Sequence, residues 1–501
     1  MIGTSHAISD APQLLWDDAV VDETSSTAER RLHEPSFAET VLVHDAPWEG
    51  DACNFHNILA DRDDNGPLYR LYYLGWTMEE GASWKRTGLV PPPHGVRVCY
   101  AESRDGLVWT KPALGLRDFE GSRENNVILD KPTDDCGEFF VFRDDNPACP
   151  PGERYKGLSA KVPPQGPRAL RLFTSPDAIR FEFSRTLSVE GSFDSLNTAF
   201  FDLRHGLYHL YFRGIHRNDG ERNGDCLVRD IRHTVSADFR SWSAPERLRF
   251  LTGDGLAEGE DYPLYTNCIE PYMRDPTVLV GFPTRYVEPR GWTRNHDFLP
   301  DLENRRAKSN HKPPWTLREG TALTDCVFAW SRDGRTFRRE DDAFLRPGPE
   351  RHRNWVYGTD YPARGLVRTP GWRGGADELS LYLPEGHGDG EPTVLDRYTL
   401  RMDGFISRHA PYAGARLVTK PIVFQGGEMR LNFSTSARGR VRVVLRGDGC
   451  RTLESVELFG DQVDRPVPFE GGDAAQLAGR PVVIEFDFFD ADLYSFRFAR
   501  A

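Results

Sequence analysis

The sequence is notable first for what it does not contain. No apolar run is long enough to span a bilayer, so a membrane helix is not expected. The N-terminal stretch MIGTSHAISDAPQLLWDD has neither a basic start nor an apolar segment of signal-peptide length. None of the eight cysteines (Cys53, Cys99, Cys136, Cys149, Cys226, Cys268, Cys326 and Cys450) forms a CxxC pair, and no His/Cys cluster has zinc spacing. A chain this long is not a small disulfide scaffold, so the expectation is reduced thiols, a cytoplasmic location and no metal, although Cys136 and Cys149 remain close enough in sequence to pair. The fourteen histidines are scattered. There is no Walker loop, Rossmann glycine fingerprint or GxSxG elbow, so no nucleotide or other cofactor is expected. Excess positive charge is also missing. With a formal net charge of -13, the surface repels phosphate backbones, which argues against nucleic acid as a partner.

What is present is a repeat. Ser103-Arg104-Asp105-Gly106 is followed by Trp109, Ser175-Pro176-Asp177 by Phe181, Ser236-Ala237-Asp238 by Trp242, and Ser331-Arg332-Asp333-Gly334 by Phe337. A weaker fifth echo is Arg401-Met402-Asp403-Gly404-Phe405. Asp-Gly and its variants make tight turns, because Gly accepts positive φ and Asp bonds its own backbone. An apolar strand precedes each copy, and a second strand rich in aromatic and β-branched residues lies upstream of it: LYRLYYLGW, RYKGLSA, LYHLYFRG, TVLVGFPTRY and ELSLYLPEG. Each copy then marks the outer hairpin of one small antiparallel sheet. Five such units, at roughly 50–113, 125–187, 193–247, 260–342 and 352–410, predict a five-bladed β-propeller. From about 415 onward, alternating strands separated by Gly- and Asp-rich turns predict a β-sandwich. The expected fold class is therefore all-β, with a propeller and its N-terminal extension over 1–412 and a sandwich over 413–501. Residues 287–320 read as a long insertion in blade four.

With SRDGLVWTKP and VGFPTRY in the blades, and LNFSTSARGRVRVVLRGDG and DADLYSFRF in the tail, the chain resembles glycoside hydrolase family 32, the invertase type. The propeller alone also resembles family 43, the arabinanase type. The resemblance implies carbohydrate as partner, and carboxylates in the central funnel as the chemistry. Family 32 carries an Asp nucleophile in blade one, an Asp within Arg-Asp-Pro in blade two and a Glu acid in blade three. This sequence departs from that pattern. Blade one has no Asn-Asp-Pro-Asn motif, and Arg274-Asp275-Pro276 falls in blade four.

A propeller's ligand site is lined by the starts of its innermost strands, and glycosidic cleavage needs carboxyl groups there. The candidates are Glu49 and Asp51, with Asn54 and His56, in blade one, and Glu138 in blade two. Blade three offers Asp194 and Asn197, blade four Tyr265, Asn267 and Glu270, and blade five Trp355 and Asp360. Arg213 and Arg285 follow the second strands of blades three and four and orient either substrate or carboxylates. The expected roles are Asp51 as nucleophile or base, Glu138 or Glu270 as proton donor, and Asp194 as transition-state support. The expected activity is a glycoside hydrolase acting on a furanoside or short oligosaccharide. The alternatives are a non-hydrolytic sugar-binding propeller, and a phosphorylase or lyase on the same scaffold.

Overall fold

The computed structural model of the chain describes residues 5–78, 94–161, 168–217, 227–252, 255–257, 263–287, 291–310, 320–447 and 452–499. Five antiparallel sheets form the blades of a propeller. Blade one comprises Asn54–Asp63, Gly66–Gly75, Arg97–Ser103 and Val127–Asp130. Blade two comprises Phe139–Arg143, Tyr155–Lys161, Ala169–Ser175 and Glu182–Thr186, and blade three Thr198–Asp202, Leu207–Arg217, Leu227–Ser236 and Glu246–Arg247. Blade four is built on Glu270–Tyr272, Asp275–Gly281, Ala329–Ser331 and Thr336–Arg339, and carries Arg249–Thr252 and Gly255–Ala257 on its outer edge. Blade five contains Val367–Thr369, Glu378–Glu385 and Val394–Arg401, and its outermost strand is Ser36–Val43, from the other end of the propeller sequence. That pairing closes the ring. The strand over Val127–Asp130, expected at the start of blade two, instead completes blade one by pairing with Arg97–Cys99.

The repeat has one geometry in four blades. Asp105 Oδ1 accepts the backbone N–H groups of Leu107 and Val108 at 2.8 and 2.9 Å, and Ser103 Oγ lies 3.0 Å from the same carboxylate. Asp177, Asp238 and Asp333 repeat the arrangement with their own serines and following amides. The residue after each Asp is left-handed: Gly106 at φ 76°, Ala178 at 65°, Phe239 at 58° and Gly334 at 75°. Two of the four turns therefore hold a conformation that favours glycine without having one.

The fifth echo does something else. Asp403 is fully buried, and its carboxylate accepts hydrogen bonds from Tyr272 (2.7 Å), Arg274 (2.7 Å) and Ser495 (2.5 Å). It thus ties blade four to the C-terminal sheet. That sheet has ten strands among the described residues and is dominated by Glu428–Gly447 and Val482–Ala499. Their pairing is interrupted between Thr435 and Arg440, where the ribbon bends. Met429, Leu431 and Phe433 before the bend share one apolar core with Val441, Val443 and Leu445 after it, so the ribbon folds back on itself as a β-sandwich.

The expected division at residues 412 and 413 is redrawn at both ends. Glu29–Leu32 and Ile406–Ala410 pair with each other, and the latter pairs with Leu493–Ala491, inside the C-terminal sheet. His6–Ala7 and Gln13–Leu14 join the same sheet. Between these strands Trp16 is fully buried, packed on Tyr272, Phe328 and Phe405 of the propeller side. The physical reason is edge satisfaction: the sandwich's exposed edges are covered by the N-terminal segment before the chain enters the ring.

The insertion in blade four includes a short helix, Leu302–Asn310. It crosses toward blade five, where Asn304 Nδ2 donates to Gly388 O (3.1 Å) and Lys308 Nζ to His387 O (2.7 Å). The cysteines at 53, 99, 136, 149, 268 and 326 are free thiols, so Cys136 and Cys149 do not pair. Among the described residues no helix is long and apolar enough to cross a membrane.

Replacing Asp403 by Ala strands the Arg274 charge and two hydroxyls. It is expected to destabilise the protein by about 3–5 kcal/mol, read from the urea unfolding midpoint. A midpoint unchanged from wild type would show that Asp403 does not couple the two halves.

Candidate active site

Each of the five inner strands has a residue with positive φ in or shortly before it: Phe55 (53°) in blade one, Asp135 (52°) in blade two, Phe193 (41°) in blade three, Cys268 (46°) in blade four and Asp360 (57°) in blade five. For bulky side chains such backbone is costly and is kept where the surroundings over-determine it. Buried amides serve that purpose. Asn267 Oδ1 accepts from Thr198 Oγ1 (2.8 Å) and Ile269 N (3.0 Å), and Asn197 Nδ2 donates to Phe193 O and Ser195 O, both at 2.8 Å. Both asparagines were expected to hold sugar hydroxyls. They are instead spent on the backbone kinks that set the strand starts.

Glu138, one residue before the inner strand of blade two, meets Asp194, from the loop before that of blade three. The two carboxyl groups are close enough for the Asp194 charge to act on Glu138. Burial, together with the neighbouring Asp194 carboxylate, pushes the Glu138 carboxyl up to about 8. Asp194 in turn accepts from Arg213 Nη2 at 2.9 Å, and Arg168 Nη1 lies 3.6 Å away. Arg213 is itself buried, also donates to Ser192 Oγ at 3.1 Å, and sits with its guanidinium carbon 5.5 Å from the centre of the Tyr265 ring. Glu138 and Asp194 both remain half-buried rather than sealed.

Opposite this pair runs an arc of rings. Trp76 meets His387 at 6.1 Å between centroids, His387 meets Tyr357 at 5.7 Å, and Tyr357 meets Tyr286 at 5.7 Å and Tyr361 at 6.3 Å. Tyr361 then stacks on Tyr265 at 5.5 Å with 14° between planes. The arc therefore passes from blade one through blade five to blade four, while the carboxyl pair belongs to blades two and three.

The remaining candidates do not join this site. Glu49 is fully buried between blades one and five, where it accepts from Tyr73 and from Lys111 Nζ (2.7 Å), with His44 Nδ1 3.6 Å away. Burial pushes its carboxyl up, but the neighbouring His44 and the Lys111 charge outweigh that and hold it at about 2. His56 faces the same network, with Nε2 3.0 Å from His44 Nε2 and its ring stacked on Tyr73. Asp51, expected as nucleophile or base, is also fully buried. Its two oxygens accept from Met78 N (3.0 Å) and Gly390 N (3.1 Å), so the loop of blade five covers it. Burial raises its carboxyl. Glu270 lies buried near the ring axis, accepting from Leu366 N at 3.0 Å with Arg364 Nε at 3.7 Å, and is not placed as a proton donor to the funnel mouth. Asn54 Oδ1 is engaged by Trp76 Nε1 at 3.4 Å.

Arg285 is clamped bidentately by Asp325, at 2.7 and 2.6 Å, as a structural ion pair. Trp355 donates its indole N–H to Gly348 O (2.7 Å) and makes no contact with the tyrosine arc. Asp360 is buried beside Tyr361, and burial followed by the Asp325 and Glu385 charges pushes its carboxyl up to about 7. Five residues of the arc (Trp76, Tyr286, Tyr357, Tyr361 and His387) and Arg168 were not singled out in the sequence. The Tyr-dense strings TRY and VYGTDY carried the only signal for the tyrosines.

No protein-family model matches the chain, and no curated protein matches it. Among solved structures it is similar to an N-acetylgalactosamine deacetylase from F. plautii in complex with blood group B trisaccharide, at 12% identity and TM-score 0.44 over 73% of this chain and 94% of that one. It is similar to a GH43_1 enzyme from Xanthomonas citri complexed with xylose, at 9% identity and TM-score 0.40 over 74% of this chain and 92% of that one. A third is the Bombyx mori GH32 β-fructofuranosidase, at 9% identity and TM-score 0.39 over 93% of this chain and 94% of that one.

A carboxyl whose folded-state pKa is raised binds more protons folded than unfolded. Its stabilising contribution is therefore full below the unfolded value near 4.5 and is lost as pH rises through about 8. Glu138→Gln, which mimics the protonated form, should hold its melting temperature across that window while wild type falls relative to it. Parallel curves for the two proteins would remove the raised carboxyl.

Proposed function

We propose that the funnel cleaves glycosidic bonds, with Glu138 as the proton donor. The observation that carries this reading is the half-buried Glu138 beside Asp194, with burial and the Asp194 carboxylate pushing the Glu138 carboxyl up to about 8. A carboxyl group poised near the working pH protonates a departing oxygen efficiently. Asp194, oriented by Arg213, keeps Glu138 protonated before the step and becomes its partner again when water resupplies the proton. Within the arc, Trp76 and Tyr357 are half-buried rather than sealed, and their flat apolar faces with polar edges suit the C–H faces and hydroxyls of a furanoside or short oligosaccharide.

A carboxyl raised by its neighbour's charge in this way is read as part of one acid unit, not as one of two groups set roughly 5–5.5 Å or 6.5–9.5 Å apart across a scissile bond in retaining and inverting enzymes. Glu138 and Asp194 therefore act as one acid unit on one side of the bond. The expected partner across the bond, Asp51, is fully buried and covered by Gly390 and Met78. This favours a second reading, in which the attacking group is a phosphate held by arginines and the enzyme needs only a proton donor.

Glu138→Gln and Asp194→Asn should each lower kcat on a natural-type substrate by about 10²–10⁴-fold. Aryl furanosides and pyranosides with good leaving groups should lose much less in Glu138→Gln, because their departure needs no proton. Equal losses on good and poor leaving groups would refute Glu138 as the acid, and full activity in both variants would refute the site.

A further inference from the structure

Among the described residues, one charged group beside Tyr265 and Tyr286 is paired with nothing of opposite sign. Arg229 lies near the start of the third strand of blade three, opposite Ile215, while Arg213 lies opposite Ile231. The period of two puts both arginines on the blade-three face that packs on blade four. There the Arg229 guanidinium carbon is 4.5 Å from the ring centre of Tyr286 and 5.1 Å from that of Tyr265, the ring that Arg213 also approaches. Among the described residues Arg229 has no carboxylate within ion-pair distance, and its guanidinium donates no hydrogen bond. Its neighbours in sequence and space do not share this condition. Arg232 is paired with Asp230, Arg213 with Asp194 and Arg285 with Asp325.

Packing on rings uses the flat face of a guanidinium and leaves its N–H donors at the edge, in the fork that matches a carboxylate or phosphate. A half-buried cation held this way, with no counter-charge, is costly unless something else supplies one. The local balance sharpens the point. Asp194 already faces two arginines, Arg213 and Arg168.

We propose that Arg229 is the recognition point for an oxyanion bound in the funnel beside the Glu138–Asp194 pair, carried either as a carboxylate on the sugar or as free phosphate. The inference rests on the funnel being the substrate site and names the charge that the substrate, or its co-substrate, brings to it. Tyr265 and Tyr286 are positioning residues here, because they hold the guanidinium flat and its donor edge open.

The test is calorimetric titration of the full chain with glucuronate, galacturonate, inorganic phosphate and glucose, for wild type, Arg229→Met and Arg229→Lys. Wild type should bind a uronate or phosphate, and Arg229→Met should bind it about tenfold or more weakly, with glucose affinity and the unfolding midpoint unchanged. Uronate binding lost in the variant assigns the charge to the sugar, and phosphate binding lost assigns it to the attacking group. If neither anion binds wild type, or if Arg229→Met binds as wild type does, the proposal falls. Should Arg229→Met fail to fold, Arg229→Lys decides: weakened anion binding at an unchanged midpoint supports the fork, and wild-type affinity overturns it. Glu138→Gln keeps Arg229 and should keep anion binding, and wild type that binds the anion but cleaves no glycoside would overturn the proton-donor reading alone.

Discussion

The structure depends on closing a ring. Five twisted sheets packed face to face would leave the first and last free to part, and the antiparallel pairing of Ser36–Val43 with Val394–Arg401 fastens the end of the ring to its beginning. Closure has a cost in sequence order, because the strand that completes the last blade is made before the first. It also determines where the N-terminal segment goes. Residues before Ser36 cannot remain in the ring, and they dress the C-terminal sheet instead, with Trp16 wedged against Tyr272, Phe328 and Phe405 at the junction. Asp403 then ties that sheet to blade four through Tyr272, Arg274 and Ser495.

A rigid ring lets adjacent blades bring together groups that neither could hold alone. Glu138 and Asp194 are 56 residues apart in the numbering, yet the charge of one acts on the other because blades two and three converge at the axis. The same convergence consumes most of the polar residues near the inner strands. Asn197 and Asn267 hold backbone kinks, Glu270 caps the turn at Leu366, and Glu49, His44, His56, Tyr73 and Lys111 form a buried network between blades one and five. Buried polar groups must be satisfied internally, so a sugar-like inventory of Asn, His, Asp and Glu is as much a demand of the blade seams as of a ligand. Chemistry is left to the groups that stay half-buried and electrostatically tuned.

The sequence by itself determined the all-β class, the number of blades and the chemistry of their outer turns. Ser-x-Asp with an aromatic four residues beyond the Asp is a local device: the Asp side chain bonds amides two and three residues on, and that geometry needs no distant partner. Second and third strands were equally legible, since alternation within a strand reports its own burial. Glu138, Asp194, Arg213 and Tyr265 were readable as candidates because each stands at a strand start or end. What only the tertiary structure decided is which of these candidates meet. Strand-start position is the same for Asp51 as for Glu138, but the Gly388–Gly390 loop closes over one and leaves the other beside Asp194. Ring closure by Ser36–Val43, the Tyr arc across three blades and the uncompensated Arg229 depend likewise on contacts between residues far apart in the chain. A single sequence carries the period of each strand but not the identity of the neighbour that a closed ring places against it.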